Sequence, residues 1–254
     1  MRFYLGTHKP NWLKLTDVPL FVSRRRLAEV KKLPRALGPW ALDSGAFSEI
    51  DQHGKWTLSP ADYIAEVRRY SAEIGNMQWA AIQDWMCEPQ MLAKTGKTIE
   101  EHQRLTTHSY LALKWAAPEI PWCPVLQGFE HDDYLRHADE YNRVLPYPIE
   151  GCKIVGLGSV CRRQGTKEAD SIIWDLHARG FKLHAFGFKI TGLEQSAHLL
   201  ESADSMAWSR AARFDPPLPG CTHKTCSNCI KYAMKWRKNV LDAIRVPKQL
   251  RFCA

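Results

Sequence analysis

Short apolar runs that end in a carboxylate, an amide or a glycine recur along this chain, and they restrict its fold more than any other feature. The runs span residues 2–5, 20–23, 40–43, 79–83, 124–127, 153–156, 182–186 and 205–208. Each has the length and composition of a strand. Asp43, Asp84, Gln127, Gly156 to Gly158, and Gly187 stand at the ends of these runs, with Asp204 at the edge of the last. Between them lie stretches of helical periodicity at 99–115, 132–144, 167–179 and 192–201, and another opened by Ser59 as N-cap and Pro60 at the first helical position. Gly75 and Gly180 follow their helices as stops. Strand and helix in alternation call for a parallel sheet with right-handed crossovers. Eight such units in about 210 residues predict a TIM-like (β/α)8 barrel rather than an open sheet. No G-x-G-x-x-G follows the first strand, which argues against a dinucleotide fold.

A barrel of this kind carries its chemistry at the C-terminal ends of the strands, where the polar tips fall. Asp43 and Asp204 are therefore the candidate acid/base and nucleophile. Taken singly, Asp43 and Asp84 also suit a turn or N-cap, and Asp204 suits a strand-end partner for Arg210. Their recurrence on successive strands is the functional signal.

The 254 residues carry a net charge of +8, which favours a polyanionic partner. Basic runs at 24–26, 31–32, 68–69 and 162–163 and the lysines of 235–238 are candidates to track phosphates. No apolar run approaches the roughly 18 residues that span a bilayer, and the N-terminus lacks a signal-peptide core, so no membrane partner and a cytoplasmic location are expected. Four of the eight cysteines, Cys87, Cys123, Cys152 and Cys161, are scattered and read as reduced thiols. Cys221, Cys226 and Cys229 instead cluster around His223, offering four nitrogen and sulfur ligands within nine residues, as a structural Zn2+ site requires. Cys253 is an alternative fourth ligand. The proline-rich stretch 215–220 then divides a catalytic barrel, 1–214, from a zinc-binding segment, 215–254. The latter's helix, Ile230–Ile244, turns Tyr232, Trp236 and Val240 to one face.

The motifs resemble those of the tRNA-guanine transglycosylase superfamily. Asp43-Ser-Gly-Ala-Phe-Ser48 is similar to its Asp-Ser-Gly-Gly-Phe/Tyr-Gln motif, Gln83-Asp84-Trp85 to its Phe-Asp-Glu segment, and Gln127-Gly128 to its Gln-Gly pair. Gly156-Leu157-Gly158 and Phe186-Gly187-Phe188 resemble its two later glycine motifs. Asp204 to Arg210 repeats the spacing of its nucleophile segment, and Cys221-x-His223-x-x-Cys226 resembles its zinc ligands, with Cys229 in place of a distant histidine. The departures are Ala46, Ser48, and Trp208-Ser209 in place of Pro-Thr.

The resemblance implies a zinc-bearing barrel that exchanges guanine for a 7-deazaguanine of the preQ0 or preQ1 type through a covalent aspartyl–nucleic acid intermediate. Asp204 would attack C1′ and Asp43 would handle the proton. Asp84 and Gln127, with backbone at Gly156 and Leu157, would read the base. Phe47 and Phe186 would sandwich it, and Arg210, Arg162 and Arg163 would hold phosphates. The segments with which tRNA enzymes grip a folded RNA are missing, so DNA is the expected polymer, as for the short phage-type relatives. The alternatives are a tRNA-guanine transglycosylase and a non-catalytic nucleic-acid-binding barrel; the two aspartates speak against the latter.

Overall fold

A computed structural model describes residues 1–160, 163 and 165–245. Nine strand segments form one sheet: β1 (Arg2–Thr7), β2 (Leu20–Ser23), β3 (Trp40–Asp43), β4 (Met77–Ala81), β5 (Trp122–Cys123), β6 (Val125–Leu126), β7 (Val155–Leu157), β8 (Leu183–Ala185) and β9 (Ser202–Ser205). Every pairing is parallel, in the order β5-β4-β3-β2-β1-β9-β8-β7-β6. The two ends of that order, β5 and β6, are consecutive halves of one strand parted by Pro124. The sheet therefore closes through this strand as an eight-stranded barrel ringed by helices, the architecture that the alternation predicts.

Side chains of a strand alternate between its faces, and here the faces are two different cores. Tyr4, Phe21, Ala41, Trp79, Ala81 and Cys123 point into the barrel and pack together. Their neighbours Phe3, Leu5, Leu20, Val22, Leu42 and Ala80 point outward into the layer beneath the helices. His184 and Phe186 complete the interior plug, the His184 ring lying 4.6 Å from Trp79 and 4.8 Å from Phe186.

The helices follow the sequence signals closely. Ser59 caps Pro60–Ile74, its hydroxyl accepting the Asp62 N–H at 3.1 Å. Thr98 and Glu101 form a reciprocal cap on Ile99–Ala116. Helix Ile230–Ile244 has its expected bounds, burying Tyr232, Ala233 and Val240 in the outer core while Trp236 packs 6.1 Å from Phe3.

The last strand departs from expectation. It runs Ser202–Ser205, whereas residues 205–208 were expected, and Ala207–Ala211 is helical. Small residues at 202, 203 and 205 let this strand lie between β1 and β8, with Asp204 opposite Tyr4. Trp208 is withdrawn from the sheet to stack on Trp12 at 5.2 Å and to donate its Nε1–H to Gly6 O at 2.8 Å. The preceding helix also ends early: Ile190–Ser196 gives way to a 3-10 turn. Strand β4 likewise stops at Ala81, two residues before its expected end, so Asp84 sits on the loop beyond it.

Candidate active site

At the C-terminal ends of the strands a cavity of about 590 Å³ opens above the aromatic plug, floored by Phe21, Ala81 and Phe186. Asp43, Asp84, Gln127 and Asp204, from four separate strand ends, converge on it.

Asp43 ends β3 and is half-buried. Burial pushes its carboxyl above the ordinary range; the Gly45 N–H, donating to Oδ1 at 3.0 Å, opposes this, and the facing charge of Asp204 raises it further. Asp204 is buried in β9. Its Oδ1 accepts the Gly187 N–H at 2.9 Å and lies 3.4 Å from His184 Nε2. His184 is itself fully buried and fixed by Ser202 Oγ at 2.8 Å from Nδ1. The two strand carboxylates thus differ in setting: one accepts a backbone N–H at a helix start, the other accepts the Gly187 N–H and lies near a buried imidazole nitrogen that makes no hydrogen bond among the described residues.

Asp84 is buried beyond β4, and burial lifts its carboxyl to about 7 against the opposing hydrogen bond from Gln127; Asp43 and Glu88 add to the rise. Gln127 Nε2 donates to Asp84 Oδ2 at 2.5 Å, and Gln127 Oε1 accepts from Ser159 Oγ at 2.7 Å. Two glycines make room for these groups. A Cβ on Gly158 would stand 2.3 Å from Gln127 Nε2, and one on Gly156 would stand 2.4 Å from the Phe186 ring.

Phe47, on helix Ala46–His53, and Phe186 both line the cavity. Gly156 and Leu157 do not: the Leu157 side chain is buried in the outer core, and the Gly156 N–H is committed to Pro124 O. Gly158 and Ser159 line the wall where those two were expected. Arg210 is exposed on Ala207–Ala211 and lies outside the cavity wall. Arg163 is turned to Glu168 at 3.0 Å, to the Phe129 carbonyl and across the Phe129 ring. Arg162 lies outside the described residues, as do Cys161 and Cys253. Among the described residues the arginines on the cavity wall are instead Arg25, paired with Glu49 at 3.7 Å, and Arg26, paired with Glu29 at 3.3 Å. They come from the arginine triplet directly after β2, a signal present in the sequence. Glu88, Ser159 and His184 had weaker signals. Only His184 could have been found, as the residue two before Phe186 and so on the same strand face.

Away from the barrel mouth, the ligand atoms of Cys221, His223, Cys226 and Cys229 all lie within 4.8 Å of one another. Cys221 and Cys229 sulfurs are 4.0 Å apart, and His223 Nε2 is 3.1 Å from Cys226 Sγ. Tetrahedral Zn–S bonds would place two sulfurs ~3.8 Å apart, so the donor set fits a metal ion. The Leu218 N–H points at Cys226 Sγ at 3.3 Å. Burial acts to raise the Cys229 thiol, but the Tyr232 and Lys231 N–H groups at the start of Ile230–Ile244 leave it below its ordinary value.

Among the described residues no helix is long and apolar enough to cross a membrane. No curated protein matches the chain. A family model does match, DpdA, DeoxyPurine in DNA protein A, over residues 1–252. With that match spanning nearly its whole length, the chain belongs to the DpdA family, whose members exchange guanine in DNA for a 7-deazaguanine.

Proposed function

We propose that Asp204 and Asp43 carry out this exchange as nucleophile and proton carrier, through a covalent aspartyl–DNA intermediate. The observation that carries the reading is the convergence of both carboxylates, from β9 and β3, on a cavity that also holds the Asp84–Gln127 pair. An Asp204 oxygen attacks C1′ as the C1′–N9 bond breaks, and the electron pair leaves with the guanine. Asp43, whose raised affinity for protons suits it to hold one, protonates the departing base. It then takes the N9 proton of the incoming 7-deazaguanine, whose nitrogen displaces Asp204 from C1′. One glycosidic bond replaces another, so the cycle balances without an external energy source.

The base has to leave the duplex to reach these groups. Asp84 and Gln127 would read its pyrimidine edge, and Phe47 and Phe186 would cover its faces. Arg25 and Arg26 at the wall, with Arg210 and Arg163 beyond it, would serve the flanking phosphates. Zinc held by Cys221, His223, Cys226 and Cys229 would stabilise the segment 215–254 against the 1–214 barrel; its four protein ligands leave no open position for chemistry.

A denaturing gel with end-labelled DNA, with and without a 7-deazaguanine base, tests the reading. The unaltered protein should give a slowly migrating adduct that the free base discharges, and tRNA offered in place of DNA should give none. Asp204→Ala should abolish the adduct, whereas Asp43→Ala should retain some while failing in exchange. An adduct formed by Asp204→Ala would assign the nucleophile elsewhere.

A further inference from the structure

Beside the base-reading pair lies a carboxylate that the exchange mechanism does not use. Glu88 is buried at 5% exposure yet lines the cavity. Its Oε2 is 2.8 Å from Ser159 Oγ, which is also 2.7 Å from Gln127 Oε1 and accepts the Cys87 N–H at 2.9 Å. A hydroxyl has one proton to give. With the Gln127 amide donating to Asp84, both its oxygen and an ionised Glu88 would compete for that proton, and a buried acceptor left unpaired is costly. Two arrangements leave every group satisfied. In one, Glu88 is protonated and donates to Ser159, Ser159 donates to Gln127, and Gln127 donates to an ionised Asp84. In the other, the chain is reversed: protonated Asp84 donates to Gln127 Oε1, the turned amide donates to Ser159, and Ser159 donates to ionised Glu88. Each contains one proton for two carboxylates.

We propose that Glu88 is a positioning residue for base recognition: it holds the shared proton while Asp84 reads the base as a carboxylate. The purine edge presents N1–H and N2–H donors, and an ionised Asp84 offers both of its oxygens to them as charged acceptors, whereas a protonated one has lost its charge and one oxygen carries a proton. When a base arrives, the Asp84 O–H breaks and an O–H forms on Glu88, the proton crossing through solvent in the open cavity. The Gln127 amide turns over and the Ser159 hydroxyl swings from Glu88 to Gln127. The pair keeps one negative charge throughout, so the base binds without adding a second charge to the buried chain. Burial lifts Asp84 to about 7 even with the Gln127 amide donating to it, so near neutrality its carboxylate takes up a proton readily once that amide turns.

The titratable groups that face the pair are Asp43 on β3, Tyr63 on Pro60–Ile74, Cys87, Cys123 on β5, and Tyr134 and Tyr141 on His131–Val144; Glu100 and Asp133 face Cys87, and Arg163 faces Tyr134. Among the described residues no cation forms an ion pair with Asp84 or Glu88, so a proton is the counter-charge within reach.

The proposal rests on Asp84 as base reader, and its test separates the two. Affinity for a free 7-deazaguanine base is measured by calorimetry from pH 6 to 9 for the unaltered protein, Glu88→Gln, Ser159→Ala and Asp84→Asn. The unaltered protein should bind more weakly on the alkaline side, by up to about tenfold per pH unit, as the shared proton is lost. Glu88→Gln carries a permanent donor toward Ser159 and should lack that alkaline decline. Ser159→Ala cuts the chain and should lack it too, which keeps the test available if Glu88→Gln does not fold. Superimposable profiles for the unaltered protein and both variants would overturn the relay. An equal loss of affinity at every pH in folded Glu88→Gln would also overturn it, because Glu88 would then act as an anion. Full affinity in Asp84→Asn would instead remove the base-reading assignment beneath it.

Discussion

Asp84 shows how one residue sets function against stability. Its carboxyl titrates near 7 in the fold, against about 3.9 in an unfolded chain. Between those values the folded state binds the extra proton, so this group's contribution to stability falls as pH rises through the window. Above pH 7 the buried charge is a net burden, which Asn does not carry. Asp84→Asn is therefore expected to melt higher than the unaltered protein at pH 8, with the advantage disappearing toward pH 4. The same variant should bind the base more weakly by roughly a hundredfold, because a donor then faces donors. Thermal melts at the two pH values, paired with base titrations, check both halves. Asp43, Asp84 and Gln127 were legible in the sequence because each ends an apolar run, and Asp204 because it stands at the edge of one and repeats a family motif's spacing to Arg210. Glu88 and Ser159 were not, because they are 71 residues apart and meet only in the fold.

At the scale of elements, the segment that carries the Cys3His cluster is the sharpest case. Cys226 is fully buried, and Cys229 caps Ile230–Ile244, whose apolar face joins the outer core. Loosening the four-ligand cluster should therefore free the helix start as well. Cys226→Ser or Cys229→Ser is expected to lower Tm by roughly 10 °C and to lose bound metal, as metal binding contributes folding free energy directly. Ser59→Ala, which removes a cap on Pro60–Ile74, should lower it by only about 2–4 °C. Differential scanning fluorimetry with elemental analysis measures both. Most of the expected helix bounds were legible because caps and periodicity are local, the helix before the last strand excepted. The last strand was misplaced because Trp208 reads as a strand residue, although its indole is drawn to Gly6 O and Trp12 from β1 and the turn after it.

For the whole molecule, the net charge of +8 acts on DNA and not on the small base. Phosphate contacts release counterions, so DNA binding should weaken steeply between about 50 and 200 mM salt. Affinity for the free base, set inside the cavity by hydrogen bonds and aromatic faces, should change little over the same range. Equal salt dependence of the two, measured by fluorescence anisotropy on labelled DNA and calorimetry on the base, would mean that the basic surface does not grip the polymer.

The sequence by itself determined the class of fold, the carboxylates near its strand ends, and a Cys/His cluster able to hold a metal ion. These depend on periodicity, caps and ligands close together along the chain, where neighbouring residues suffice. Only the tertiary structure decided which tips share a cavity, and that β5 and β6 close the barrel across Pro124. It also decided that Gly156 and Gly158 make space for Phe186 and Gln127. Arg25 and Arg26 line the cavity wall while Arg163 is held by Glu168. Such outcomes depend on distances between residues remote in sequence, which strand register and close packing set only once the barrel has closed.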